Sequence, residues 1–425
     1  MRIERFIVPA LRGVARSDRT ANMLDKVLRP WNPFSPARYR DPYPRYARLR
    51  SEIGELKFQR SLQGWNVVGY DACEEVLRNP NMSVDRADML AGVPPYSKLS
   101  QPTMDLFTNT MLMKDPPDHT RLRTLVNRAF TPRQMAALEP DIDKITRGLL
   151  DKLQHGQQAD VIESFCAQLP IHVISNMLGF PPASWDEFRA VSDSLVQFID
   201  PISSFDPAAM ERTVSRFTEM LGELVTERER QPQDDMVSRL VEAQDDGDRL
   251  NRRELESMVA ILMVAGHETT ASLLGNSLLA LQAHPEAKNR LRTEPDIATN
   301  AVEELLRFDT PVQLTDRFPT EDVQVAGQTL KKGQLVGVFL GAANRDPARY
   351  DRPDQLILDR EDPRPLSFGH GIHHCLGAAL ARMETRVALP LFLQTFPDYQ
   401  IDIDRVAWKR SFTVRGPLML PTTLR

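Results

Sequence analysis

Residues 368–377 read FGHGIHHCLG, and the way Cys375 is read decides what kind of molecule this is. A cysteine sulfur needs a reason to be ionised. Here it opens a run, 375–394, that predicts a helix, whose dipole and free N–H groups favour negative charge. Gly369, Gly371 and Gly377 strip side chains from its surroundings. That permits a tight loop and the close approach of something flat and bulky. Three other readings compete. Cys375 could be a buried structural cysteine, as Cys73 and Cys166 are expected to be. It could join His370, His373 and His374 around zinc, although structural zinc sites draw on two separated pairs and these ligands would crowd one loop. It could also be a nucleophile with a histidine base.

Upstream, residues 257–282 read SMVAILMVAGHETTASLLGNSLLALQ, the pattern of a buried helix. Ala265, Gly266, His267, Glu268, Thr269 and Thr270 interrupt its apolar run. A carboxylate and two hydroxyls there cost stability unless they are satisfied or useful. His267-Glu268 invites a metalloprotease reading, but HExxH needs a histidine where Ala271 stands. A bland alternative has Thr269 bonding back to a carbonyl one turn earlier. His119 and Arg123 lie four apart at the start of another helix and share a face. Leu122, Leu125, Val126 and Ala129 face its core. Glu304 and Arg307, three apart, also share a face.

The chain has 425 residues, with 53 Lys+Arg against 58 Asp+Glu and a net charge of −5. That balance argues against a nucleic-acid partner. With 41% hydrophobic and 26% charged residues, it reads as an ordinary globular protein. Three scattered cysteines make no disulfide framework, so the cytoplasm is expected. The first twenty residues have too short an apolar run for a secretory signal. No run of about 18 uncharged apolar residues occurs, so no integral membrane segment is expected.

Along the chain, residues 1–60 form a Pro- and Arg-rich leader. A strand fits 64–70, then a helix capped by Asp71. Residues 84–110 read as a long irregular loop. Thr131-Pro132 opens a helix to about Leu153. Further helices fit 183–199, 208–230, 251–283 and 286–307, a hairpin fits 321–340, and a last helix fits 375–394. The fold class is therefore mainly α with a minor β region. Nothing marks a clean boundary, so residues 1–425 are expected to form one domain.

FGHGIHHCLG fills every fixed position of Phe-x-x-Gly-x-His/Arg-x-Cys-x-Gly, and so resembles the haem-binding loop of the cytochrome P-450 family. Three further motifs occur in that family's order, and the resemblance runs from about residue 64 to the end. It implies the cytochrome P-450 fold, with haem b between the distal (257–282) and proximal (375–394) helices. It implies that Cys375 is the axial iron ligand, whose thiolate donation favours O–O cleavage. Phe368 would pack beside the sulfur, with Gly369 and Gly377 shaping the loop, and His373 would bond a propionate. His119 and Arg123 match the family's His-x-x-x-Arg propionate pair, and Arg317 resembles its other propionate arginine.

Glu268 and Thr269 match the acid–alcohol pair of Ala-Gly-x-Asp/Glu-Thr, the expected proton relay for O2, and Gly266 would let the helix open over the haem. Glu304, Arg307 and Arg360 would form the structural network behind the haem. Substrate-contacting regions map onto Met89, Leu90, Val93, Leu195, Phe198, Val264, Ala265, Val312 and Val414. They are mainly apolar, so a lipophilic substrate is expected.

No nucleotide-, flavin- or iron–sulfur-binding motif is present, so electrons would come from separate proteins, as a ferredoxin and a flavoprotein reductase do for relatives. Lys114, Arg121, Arg128, Arg133, Arg382 and Arg386 are candidates for a basic docking patch. The function implied is a monooxygenase that puts one atom of O2 into a small molecule. The alternatives are a haem-thiolate peroxygenase or isomerase, or a haem sensor or electron carrier.

Overall fold

The computed structural model describes residues 28, 31–32, 35–87, 90, 92, 94–181, 190–192, 194, 196–198, 200, 205–245, 248–411 and 413–425. They are mainly helical with a minor β region. They fall into two compact units, each assembled from separated stretches. One combines the stretch ending at Ser83 with Thr146–Cys166 and Thr269–Arg425; the other combines Val84–Ile145 with Ala167–Glu268. Most of the leader and of the helix expected over 183–199 lies outside the described residues.

The first unit holds the main sheet. Its strands run Leu56–Gln59, Gly64–Val67, Leu335–Val338, Thr315–Pro319, Met82–Ser83 in spatial order. Gly64–Val67 pairs parallel with Leu335–Val338 and antiparallel with Leu56–Gln59. A glycine starts that strand for a steric reason: a Cβ at 64 would stand 3.1 Å from the carbonyl oxygen of Leu335. Val67, Val325, Leu330, Val336 and Val338 are wholly buried in one apolar cluster with Val76 of the helix Tyr70–Arg78.

That helix is not capped by Asp71. Gly69 is its N-cap, and Asp346 accepts a 2.8 Å bond from the Tyr70 N–H. The cap comes from 276 positions away, where local pattern cannot find it. The hairpin expected over 321–340 resolves into Val323–Val325 paired with Gln328–Leu330, and the sheet strand Leu335–Val338.

Several helices are shorter than their apolar periodicity suggests. The run 286–307 divides into Pro285–Thr293 and Ala298–Phe308, with Pro295 between them. The helix opened by Thr131 has its capping box with Gln134 but ends at Ala137, and a second begins at Glu139.

In the second unit, the stretch expected to be irregular, 84–110, contains the helix Gln101–Thr108. Ser100 caps it, and Glu211 of the helix Pro207–Arg230 accepts bonds from the Ser100 N–H and from the Ser100 and Thr103 hydroxyls. These bonds outweigh burial and hold the Glu211 carboxyl below its usual range. The tertiary partner thus creates an element that Pro and Gly alone would not suggest.

The helix Arg252–Ala283 runs 32 residues from the second unit into the first. It is apolar nearly all round, the signature of a core helix. By length and composition alone it is apolar enough to cross a membrane, but its most apolar window is 83% buried inside the protein, as a core helix is.

Candidate active site

The cysteine loop lies in the first unit. Two short 3-10 turns, Leu366–Phe368 and Gly371–His373, fold it back, and the Cys375 N–H donates to the Phe368 carbonyl at 2.9 Å to close it. The final helix begins at Ala378, not at Cys375, with Gly377 as its N-cap. The sulfur therefore precedes the first turn instead of belonging to it, still at the positive end of the dipole.

Cys375 is exposed, whereas Cys73 and Cys166 are buried and burial pushes both of their thiols up. A Cβ at Gly377 would meet nothing within 4 Å, and one at Gly369 would meet only the His373 carbonyl at 3.9 Å. An exposed sulfur flanked by two glycines with open space beside them is a cradle that fits a flat porphyrin. Among the described residues no three of His, Cys, Asp or Glu come together as a metal-binding group, so the zinc reading fails.

The loop is anchored from two sides. Ser367 donates to the Leu306 carbonyl at 2.9 Å, and Asn344 bonds both the Ser367 hydroxyl (2.9 Å) and the Leu366 N–H (2.8 Å). Phe368 packs on Leu273, Val302 and Leu306, with the Arg382 guanidinium 4.4 Å over its ring. On the other side, the His370 Nδ1 accepts from its neighbour Gly371 N–H (2.7 Å) and from Arg78 Nε (3.2 Å), and its Nε2 stands 3.4 Å from Glu74. Asn344 and Ser367 are supports of the loop that sequence reasoning missed, while His370, weighed there only as a zinc ligand, is another. Only the placement of His370 inside the quoted motif could have drawn attention to it.

Glu304, Arg307 and Arg360 come together. The Arg307 guanidinium makes a two-pronged pair with Glu304, at 2.7 and 2.8 Å, and Arg360 Nε reaches the same carboxylate at 3.0 Å. Arg307 also donates to the carbonyls of Asn344, Pro353 and Gln355. Glu304 and Arg307 are wholly buried, so each donor and lone pair must be met inside the protein. The pair thereby holds the chain between 344 and 355, from which Asn344 grips the cysteine loop.

Arg317 is buried on the strand Thr315–Pro319, opposite Val336, where it donates to the Asp316 carbonyl at 2.7 Å. Val312 and Val414 face each other across an isolated antiparallel bridge. Thr269 belongs to this unit and is only half-buried.

In the second unit, His119 is buried on the helix Asp118–Ala129. Burial, reinforced by the Arg123 guanidinium, lowers its basicity, while Asp115 works the other way. On the long helix, Ala265 is exposed and Gly266 and Glu268 half-buried, although Ile261, Leu262, Met263, Val264, His267 and Thr270 are buried. The helix runs unbroken through Gly266, and a Cβ there would make ordinary van der Waals contact with Ile174 at 3.4 Å.

Phe198 and Val264 belong to the core: Phe198 packs 4.1 Å from Phe107 and 5.1 Å from Tyr96, centroid to centroid. Met89, Val93 and Leu195 lie outside the described residues. Arg121 is paired with Glu254 and stands 3.3 Å from Asp248. In the first unit Arg382 is paired with Glu303. Two of the cations expected in a docking patch are thus matched by acids of the chain itself, from positions too distant in sequence to see.

Known proteins resemble this chain over most of its length. The family model described as cytochrome P450 matches residues 61–400. The chain is 39% identical over 394 residues to the cytochrome P450 monooxygenase PikC of Streptomyces venezuelae, covering 91% of each. It is 38% identical over 397 residues to a vitamin D(3) 25-hydroxylase of Pseudonocardia autotrophica, covering 92% of this chain and 96% of that one. Among solved structures, P450BioI in complex with hexadec-9Z-enoic acid ligated acyl carrier protein superposes with a TM-score of 0.84 at 34% identity, covering 91% of this chain and 99% of that one.

Proposed function

The chain belongs to the cytochrome P450 family, and from that membership we propose that it inserts one oxygen atom from O2 into a lipophilic small molecule, by hydroxylation or epoxidation. It is a haem-b oxidoreductase of the monooxygenase kind. When bound, the haem supplies the oxygen activation that no amino-acid side chain offers. Everything else falls to the chain's own residues.

Cys375 would hold the iron as a thiolate, with Phe368 and the glycines at 369 and 377 shaping its seat. His119, Arg123, Arg317 and His373 would bind the propionates as charge-assisted donors. Glu268 and Thr269 would hold and pass protons on the distal side. Ala265, Val312 and Val414 would orient the substrate and exclude water. Glu304, Arg307 and Arg360 would keep the loop in place without touching it. The whole chain would act as one domain in the cytoplasm, drawing electrons from a ferredoxin and a flavoprotein reductase.

The observation that carries this reading is the exposed Cys375 sulfur in a closed, glycine-flanked loop. Cys375→Ala in haem-replete protein is expected to abolish the thiolate-type carbon monoxide band and NAD(P)H-driven turnover. A retained band sinks the proposal. Wild-type turnover with peroxide alone, and none with NAD(P)H and redox partners, favours a peroxygenase instead.

A further inference from the structure

The segments carrying Val312 and Val414 are held from behind by the N-terminal helices Pro36–Arg40 and Tyr43–Ile53, all within the first unit. Beside the bridge, Gln313 N–H donates to the Thr413 carbonyl at 2.8 Å, and Arg415 N–H to the Pro311 carbonyl at 2.7 Å. Two buried arginines then cross between the segments. Arg38 donates to the Ser411 carbonyl at 2.5 Å, and Arg415 to the Tyr39 carbonyl at 3.0 Å. Arg415 Nε also stands 3.0 Å from Asp309 Oδ1, outside hydrogen-bond geometry, in a buried ion pair.

The tyrosines complete the arrangement. Tyr43 OH donates to Asp309 at 2.8 Å and accepts from Gln313 Nε2 at 3.3 Å. Tyr46 OH donates to Gln313 Oε1 at 2.9 Å. Burial, with the Asp309 carboxylate next, raises the Tyr43 phenol well above its ordinary value, so it stays a donor. The rings need no hydroxyl to pack: Tyr46 stacks on Trp31 at 5.5 Å and meets Phe339 edge-on at 6.0 Å.

Packing alone would let these segments slide by fractions of an ångström. Directional bonds to buried groups do not, because each displaced group is left unsatisfied. Shifting one partner of the buried Arg415–Asp309 pair would leave an uncompensated charge behind, which is costly.

We propose that the helices Pro36–Arg40 and Tyr43–Ile53 set the spacing of Val312 and Val414, and so select which lipophilic molecules the pocket admits. Arg38, Tyr43 and Tyr46 are then positioning residues behind the pocket wall, not part of it. The inference rests on the reading that Val312 and Val414 bound the substrate pocket.

The test uses the holoenzyme and two probes that bind the iron through the same nitrogen: imidazole, which reports the iron alone, and 1-dodecylimidazole, whose chain must lie along the wall. The double variant Tyr43→Phe/Tyr46→Phe keeps both rings and loses both hydroxyls. Its ratio of the two dissociation constants is expected to move at least about fivefold, with imidazole binding within about twofold and the carbon monoxide band intact. An unchanged ratio overturns the proposal whatever the thermal midpoint does, and so does equal weakening of both probes. Should the double variant not accumulate, Tyr43→Phe alone is read the same way, with about a threefold change expected. Val312→Ala acts on the wall directly and should move the ratio too. If it does not, the wall assignment fails, and if imidazole leaves the wild-type haem band unmoved, the haem-thiolate reading fails with it.

Discussion

Glu384 is the most exceptional single residue outside the site. It is 1% exposed in the helix Ala378–Thr395, and its Oε2 has no hydrogen-bond partner. Burial alone pushes its carboxyl well above the ordinary value of 4.5. An acid raised on folding keeps a proton that the unfolded chain gives up. Its presence therefore lowers stability as pH rises above the unfolded value, by about 1.4 kcal/mol per unit until the folded pKa is reached. Glu384→Gln removes that dependence. Urea midpoints should show the variant gaining on wild type as pH rises above 4.5, and a pH-independent offset would contradict it. Legibility at this scale followed spacing. Glu304 with Arg307, and His119 with Arg123, could be placed on shared faces because three or four positions fix a face. The acids opposite Arg121, and the Asp309 partner of Arg415, lie more than a hundred positions away and carry no local mark.

At the scale of elements, the cysteine loop is wedged against the end of the helix Tyr70–Arg78. Gly371 has φ +71°, and a Cβ there would come 2.5 Å from the Leu77 carbonyl oxygen. Gly369 has nearly the same φ, +68°, but open space around it. The two glycines separate backbone strain from collision. Gly369, at φ +68° and ψ −164°, sits in a region that essentially only glycine adopts, so Gly369→Ala should cost that backbone penalty alone, about 1–3 kcal/mol. Gly371→Ala must in addition displace either the loop or the helix end, and should lower the haem-to-protein ratio of the purified enzyme as well as its melting temperature. Equal behaviour of the two variants would show that the contact with Leu77 does not matter. The elements themselves were mostly readable, because long periodic runs such as 251–283 announce a helix. Their ends were not. Asp346 capping a helix at Tyr70, and Glu211 gathering the helix at Gln101, are supplied by tertiary structure.

For the whole molecule, composition and patterning gave the class, mainly helical with a minor sheet, and the quoted motifs gave the family. Division into two units, each built from interleaved stretches, has no signature in composition, since no linker or bias marks Ser83, Ile145, Cys166 or Glu268. The same interleaving governs how the molecule comes into being. Gly64 pairs with Leu335, so the main sheet joins residues about 270 positions apart. A ribosome adding roughly 5–20 residues per second leaves the strand Gly64–Val67 waiting some tens of seconds for its neighbour. Nascent chains arrested near residue 300 should therefore leave open to hydrogen exchange those amides of 64–67 that pair with 335–338, the other edge having Leu56–Gln59 beside it, and chains arrested with residues 335–338 clear of the exit tunnel should protect them. During that interval an apolar strand edge stands bare. Holdase chaperones that bind extended apolar segments should accordingly raise the yield of folded protein most when supplied during synthesis, and do little when added to finished chains.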